Sequence, residues 1–170
     1  TTGQQVELRG LTTLDATLSA PLDSLTFVGT GGALTVTAAG QITAGNIALI
    51  ADTLNIAGTL NAPTGTIAIA PLTVEHALAV TGLPAGSTAA LFQFGDANTG
   101  AITLSGTLDL TGSGADVTIQ NVIALGSDIT FNTTLTLDAG KTLRIIGSSG
   151  IVAYTSGSSV TSAGGTIVFE

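Results

Sequence analysis

Short runs of alternating apolar residues, separated by glycine-containing turns, recur along almost the whole chain. Leu34 and Val36 form one such run, and Ile67 and Ile69 form another. Because successive side chains on a strand point to opposite faces, each run predicts a short strand with one buried face. No stretch keeps the 3.6-residue apolar period of an amphipathic helix over a useful length. The sequence therefore predicts an all-β protein.

The strands return with a longer period of about 20 to 25 residues. A unit of that length with two or three short strands cannot close its own core, whereas stacked units can share one. Each strand would then pair in parallel with its equivalent one coil further on, at about 4.8 Å. The predicted fold is a single-stranded parallel β-helix (a β-solenoid) of about seven coils, forming one domain over residues 1–170. An antiparallel β-sandwich is the alternative, because short strands with regular turns fit that fold as well.

Residues 52–71, DTLNIAGTLNAPTGTIAIAP, show how one coil would be built. The residues predicted to point into the core are Leu54, Ile56, Leu60, Ile67 and Ile69. Gly58 and Gly65 are predicted to turn corners, at positive φ.

Two segments depart from this rhythm. Residues 1–24 are predicted to be an N-terminal cap or an entry strand. The segment Pro71–Gly100 is predicted to be an irregular excursion from the coil, because Pro71 and Pro84 interrupt the alternation there.

Charge is scarce and mostly negative, with 8% charged residues and a formal net charge of −8. The three basic residues, Arg9, Lys141 and Arg144, are too few to neutralise a phosphate backbone, so no nucleic-acid partner is predicted. No apolar run approaches the roughly 18 residues of a spanning helix, so no membrane-spanning segment is predicted. The chain has no cysteine and one histidine, and we predict neither a metal site nor a cofactor.

Residues 31–70 read GGALTVTAAGQITAGNIALIADTLNIAGTLNAPTGTIAIA. This stretch resembles the repeat region of filamentous haemagglutinin-type adhesins, which are exported by two-partner secretion and related autotransporter routes. A weaker likeness continues through residues 101–169. The resemblance implies a right-handed parallel β-helix that serves as a stalk on a bacterial surface, so an extracellular or cell-surface location is expected.

The expected function is structural or adhesive, without catalysis, with a host or cell-surface glycan or protein as partner. The candidate contact residues lie in the predicted excursion and are Glu75, His76, Phe92, Phe94 and Asp96. Phe92 and Phe94 fit equally well as core residues that pack back onto the coil.

Two other functions stay open. A subunit that self-associates through its open solenoid ends would build a filament. A polysaccharide-acting β-helix enzyme would use carboxylates on neighbouring coils, and its candidates are Asp109, Asp116, Asp128 and Asp138. Asp residues also cap turns, which is their ordinary role beside glycine.

Overall fold

The computed structural model describes residues 3–29, 31–121, 127–147 and 150–170. The strands in these ranges are β1 (Gln5–Leu11), β2 (Thr13–Leu14), β3 (Thr17–Gly29), β4 (Ala33–Val36), β5 (Gln41–Ile50), β6 (Thr53–Ile56), β7 (Thr59–Ala70), β8 (Leu78–Gly82), β9 (Thr88–Phe94), β10 (Ile102–Asp109), β11 (Asp116–Asn121), β12 (Ile129–Phe131), β13 (Thr134–Thr136), β14 (Thr142–Gly147), β15 (Val152–Tyr154), β16 (Ser159–Thr161) and β17 (Thr166–Phe169). Within the described ranges there is no helix, and hence none long and apolar enough to cross a membrane.

The strands stack into three sheets. The longest has eight strands in the order β1-β3-β5-β7-β9-β11-β14-β17. A second sheet is built on β10, which pairs with β8, β12 and β13, and β15 and β16 extend it; a third joins β2, β4 and β6. Every pair of neighbouring strands is parallel. The parallel β-helix is therefore confirmed, and the antiparallel sandwich is wrong for this chain.

The spacing of the coils follows from the register of the long sheet. Ile42 pairs with Leu60, and Asn61 pairs with Thr88, so neighbouring coils are offset by 18 to 27 residues. This range contains the period expected from the sequence. The eight stacked strands of the long sheet also agree with the expected coil number of about seven.

The core is a continuous apolar column inside the coils. Along one inward row of the long sheet, side chains that pair in register are Phe27, Leu49, Ile69, Phe94, Ile119 and Ile145. All six are almost completely buried and belong to one cluster. Of the inward residues expected in residues 52–71, Leu60, Ile67 and Ile69 are fully buried, whereas Leu54 and Ile56 are half-buried and pack against the cluster. The alternation of apolar residues thus predicted which side chains of these strands point into the core.

Gly58 and Gly65 turn corners for a different reason from the expected one. Neither has a positive φ. A Cβ on Gly58 would instead overlap the backbone carbonyl oxygen of Gly40 in the preceding coil, and one on Gly65 would overlap that of Gly45. The prediction of positive φ was therefore wrong. These glycines are needed because two stacked backbones approach too closely for any side chain.

The two segments predicted to depart from the coil contain strands of the stack. Residues 78–82 form β8, which pairs with β10, and residues 88–94 form β9, which pairs with β7 and β11. Residues 78–82 and 88–94 of the predicted excursion Pro71–Gly100 therefore belong to the stack, because both prolines lie outside these strands and leave the ladder bonds intact. Residues 71–77 and 95–100 lie in loops between strands. Within residues 1–24, β1 pairs with β3 and β2 pairs with β4, as an entry strand would.

Candidate functional site

Three of the five candidate contact residues lie where loops of successive coils stack on one another. We call this region the loop corner and define it as residues 71–77, residues 95–101 and Asp52. Residues 71–77 connect β7 to β8, and residues 95–101 connect β9 to β10. The three parts are tied together by hydrogen bonds that run from coil to coil.

Asp52 anchors the first of these loops. Its carboxylate accepts hydrogen bonds from the backbone N–H of Thr73 at 2.7 Å and from the Thr73 hydroxyl at 2.6 Å. Partial burial raises the pKa of Asp52, but the two bonds from Thr73 and the positive field of His76 outweigh it, so the pKa lies below its ordinary value. The ionised form of Asp52 therefore holds residues 71–77 in place.

Glu75 has the one positive φ, 63°, among the non-glycine residues that the structure describes. Its N–H donates to the carbonyl oxygen of Asn98 at 2.7 Å, and the N–H of Gly100 donates to the carbonyl oxygen of His76 at 3.0 Å. A Cβ on Gly100 would overlap the Glu75 carbonyl oxygen. The left-handed turn at Glu75 is thus fixed by the loop stacked against it, and the side chains of Glu75 and His76 are exposed.

Asp96 organises the second loop locally. Its carboxylate accepts from the N–H of Asn98 at 2.8 Å and from the Thr99 hydroxyl at 2.9 Å, an Asx-turn arrangement. Thr99 is completely buried. Asp96 is half-buried, so a large part of its hydrogen-bonding capacity serves the turn itself.

The loop corner brings Glu75, His76 and Asp96 together and leaves out Phe92 and Phe94. Both rings are 0% exposed and stack on each other with centroids 6.4 Å apart. Of the two roles predicted for them, packing back onto the coil is confirmed, and neither ring is exposed for contact with a partner. They pack back onto the coil because they occupy the inward positions of β9, in register with Ile67 and Ile69.

Two exposed apolar residues of the loop corner were missed as contact candidates. Val74 is 62% exposed and Leu72 is 41% exposed. They alternate with polar residues directly after the buried Pro71 and before Glu75 and His76. An apolar pair within a turn that also carries the only histidine was the available signal. It was overlooked because the same alternation is typical of a buried strand.

The carboxylates considered for polysaccharide cleavage all accept hydrogen bonds. Asp116 accepts from the backbone N–H of Thr142 at 2.8 Å, and Asp128 from that of Ile151 at 2.9 Å, each one coil further along the chain. Asp109 accepts from the N–H and the hydroxyl of Thr111. The hydrogen bond from the Thr111 hydroxyl lowers the pKa of Asp109 most, and the bond from the Thr111 N–H lowers it further. Asp109 thus caps its own turn, as Asp commonly does, whereas Asp116 and Asp128 bond the backbone of the next coil.

Asp138 joins two coils through both of its carboxylate oxygens. Its two carboxylate oxygens accept from the backbone N–H groups of Gly112 and Gly114, each at 2.7 Å. These two donors hold the pKa of Asp138 below its ordinary value, with a smaller contribution from Lys141. We refer to Asp or Asn side chains that bond the backbone of a neighbouring coil as corner staples. Others are Asp23 to Gln4, Asn46 to Thr66, Asp52 to Thr73, Asp116 to Thr142 and Asp128 to Ile151.

Within the described part of the chain, no group of three or more His, Cys, Asp or Glu side chains is placed to hold a metal ion. Comparison with protein families, with curated proteins and with solved structures finds no match for this chain. The geometry alone therefore bears on its function.

Proposed function

We propose that this chain is a structural segment of a bacterial secreted or cell-surface protein of the filamentous haemagglutinin type, acting as a rigid stalk without catalysis. The observation that carries the proposal is the unbroken inward column from Phe27 to Ile145, wrapped by a sheet of eight parallel strands. Corner staples reinforce the column at several coils. A stack of this kind resists bending, because each coil is bonded to the next along its whole length.

The rigidity of the stalk can be measured directly because the chain has no cysteine of its own. Gln5 and Thr166 lie at corresponding places in the first and last strands of the long sheet, and both are exposed. The distance between spin labels on Q5C/T166C should show one narrow distribution at about 34 Å, which is seven steps of about 4.8 Å between neighbouring strands. A broad distribution would contradict a rigid stalk.

The adhesive part of the proposal concerns the loop corner. Leu72, Val74, Glu75 and His76 stand exposed on a backbone fixed by Asp52 and by residues 98–100, a preformed surface of mixed apolar and charged character. Beads coated with the chain should bind host cells or a cell-surface glycan or protein, and V74A/H76A should weaken that binding. T155A, on an exposed turn elsewhere, is the control and should leave binding unchanged. Absence of binding to any such surface would remove the adhesive role and leave the spacer role.

The absence of catalysis is tested separately. A panel of acidic and neutral polysaccharides incubated with the chain should release no products. Release of products that is lost in D109N or D128N would favour the polysaccharide enzyme instead, because those carboxylates were its candidates.

A second candidate function, end-to-end assembly into a filament, is favoured by the strands at the two ends of the long sheet. On β17, Ile167 is 45% and Phe169 is 61% exposed, although both occupy inward positions in register with Leu143 and Ile145. If β1 of a second copy continued the ladder in that register, Val6 and Leu8 would cover them and Arg9 would face Glu170. The two ends of the sheet are thus complementary both in their apolar side chains and in their charges.

Substitution at neighbouring positions of β17 tests this candidate. I167K places a charge on the inward row and should abolish assembly, whereas V168K places one on the outward row and should be tolerated. Light scattering over a range of concentrations measures the outcome. A parent chain that remains monomeric at every concentration argues against assembly and leaves the stalk proposal intact.

A further inference from the structure

The strand pairing outside the long sheet is interrupted between β6 and β8. β6 pairs with β4 in the preceding coil, and β8 pairs with β10 in the following one. No ladder joins β6 to β8 within residues 31–121, all of which the structure describes, although the two strands lie side by side. Across the same two coils, β7 and β9 are paired in the long sheet. We call the gap between β6 and β8 the seam.

Both strands direct backbone groups without ladder partners toward the seam. The N–H of Thr53 donates to the preceding coil at 2.7 Å, and the N–H of Leu78 donates to the following coil at 2.8 Å. Successive residues of a parallel strand bond to neighbours on opposite sides, so the backbone groups of Leu54 and Ala79 point into the seam. Separation of β6 from β8 therefore breaks no ladder bond.

The inward residues are also less well covered at the seam. Leu34 and Val36 of β4 are almost completely buried, whereas Leu54 and Ile56, which pair with them on β6, are half-buried. A cavity of about 10 Å³ lies between β6 and β8 and reaches the core residue Ile69. This is close to the space that one water molecule requires. The apolar column is thus less tightly closed here than one coil earlier.

A corner staple holds the two coils together where β6 and β8 begin. Asp52 directly precedes β6, and Thr73 lies in the loop that leads to β8. The Asp52 carboxylate accepts from both the N–H and the hydroxyl of Thr73. At the other end of β8, the N–H of Leu83 donates to the carbonyl oxygen of Thr107 at 3.2 Å, so that end is held by the following coil.

We propose that the seam is a joint of the solenoid, at which β6 and β8 separate locally while the rest of the coil stays folded. The long sheet, which is paired throughout, acts as the hinge, and the bonds between Asp52 and Thr73 act as the clasp. Opening uncovers Leu54, Ile56 and Val80 together with two unpaired strand edges. The stalk therefore yields at the seam before its ladders break.

The reactivity of single introduced thiols tests the joint, because the chain has no cysteine of its own. V80C and V36C each replace an inward valine that is almost completely buried. Val80 lines the seam, whereas Val36 lies in β4, which is paired on both sides. With excess DTNB and the folded chain, V80C should react about tenfold faster than V36C or more, since its exposure needs only local opening.

Urea unfolding of each variant gives the rate of thiol reaction that global unfolding alone would produce. V80C should exceed its own value, and V36C should not. A V80C thiol that reacts no faster than global unfolding allows, or no faster than V36C, overturns the joint.

The clasp is tested in the V80C chain by removing one of two staples. D52A should raise the reaction rate of the V80C thiol several-fold, because it releases Thr73. D116A removes the staple to Thr142, away from the seam, and should leave the rate unchanged. No increase in D52A, or an equal increase in both variants, overturns the clasp. The spin-label distance along the long sheet does not depend on the seam, so the stalk and the joint fail separately.

Discussion

At the scale of single residues, the acidic side chains serve mainly to hold coils together. Asp52, Asp116 and Asp138 each accept a hydrogen bond from the backbone of a coil 21 to 26 residues away. A corner leaves backbone N–H groups without ladder partners, and a carboxylate one coil away satisfies them. The net negative charge of the chain therefore follows in part from the way its corners are built.

Replacement of Asp138 with Asn should destabilise the fold in a pH-dependent way. The N–H groups of Gly112 and Gly114 hold the pKa of Asp138 below its ordinary value, so folding favours the ionised carboxylate. That contribution is complete above the unfolded pKa of about 3.9 and is lost as the pH falls through the lower folded pKa. The melting temperature of D138N should therefore lie below that of the parent at pH 7, and the gap should close below about pH 4.

The control for this prediction is E75Q, which also removes one negative charge from an exposed corner. No hydrogen bond to the Glu75 carboxylate is present among the described residues, and Gln keeps the same backbone requirements. Its melting temperature should follow that of the parent at both pH values. A gap for D138N that persists unchanged at pH 3 would show that the charged form contributes nothing.

Replacement of Gly58 with Ala should cost more than an ordinary turn glycine. Its Cβ would overlap the Gly40 carbonyl oxygen, a backbone atom that cannot rotate away, and we expect a loss of about 1–3 kcal/mol. Gly157 has φ 85° but open space around it, so G157A should cost only about 1 kcal/mol for the left-handed conformation. Urea unfolding followed by circular dichroism measures both. Equal losses would mean that the stacked backbones can separate at that corner.

The corner staples and these glycine contacts show the limit of prediction from sequence at this scale. Asp138 precedes Ala139 and Gly140, and capping of a turn was given as the ordinary role of such a residue. Its actual partners, Gly112 and Gly114, lie one coil earlier. Pairing of this kind depends on the register between coils, and no single segment of the sequence specifies the register.

At the scale of elements, each strand of the long sheet owes its place to two inward side chains. In β9 these are Phe92 and Phe94, which lie between Ile67 and Ile69 on one side and Val117 and Ile119 on the other. Alternation revealed most strands, but β8 and β9 were assigned to an excursion. The intervening prolines and the exposed Leu72 and Val74 hide the alternation there, although the ladder bonds themselves are unaffected.

The same inward row allows a matched test of burial. Phe94 is 0% exposed, whereas Phe169, at the equivalent position of β17, is 61% exposed. F94A should leave a cavity between coils and cost about 3–5 kcal/mol, and F169A should cost much less. Unfolding in urea gives both values. A small loss for F94A would contradict a shared core, and would reopen the role of this residue as a surface contact.

At the scale of the whole molecule, the fold is close to one-dimensional. Each coil contacts mainly the coil before it and the coil after it, so stability is the sum of coil and interface contributions. The sequence predicted this architecture because the regular return of its short strands indicates stacked coils. It did not predict the loop corner, which exists only where residues 71–77 and 95–101 come into contact across two coils.

Such a stack should lose its structure from the ends inward. In the 170-residue chain β1 and β17 pair on one side only, whereas β5, β7 and β9 pair on both sides and contribute fully buried residues to the column. Amide hydrogen exchange should therefore be fastest in β1 and β17 and slowest in the central strands, as expected for quasi-independent coils. Exchange of individual amides, followed by mass spectrometry of peptides, measures the profile.

G58A should raise exchange in β5 and β7 more than in β14, because its effect is confined to the coils that touch it. Uniform protection along the chain, lost in one step, would show instead that the coils unfold as a single unit and that stability is not divided among their interfaces.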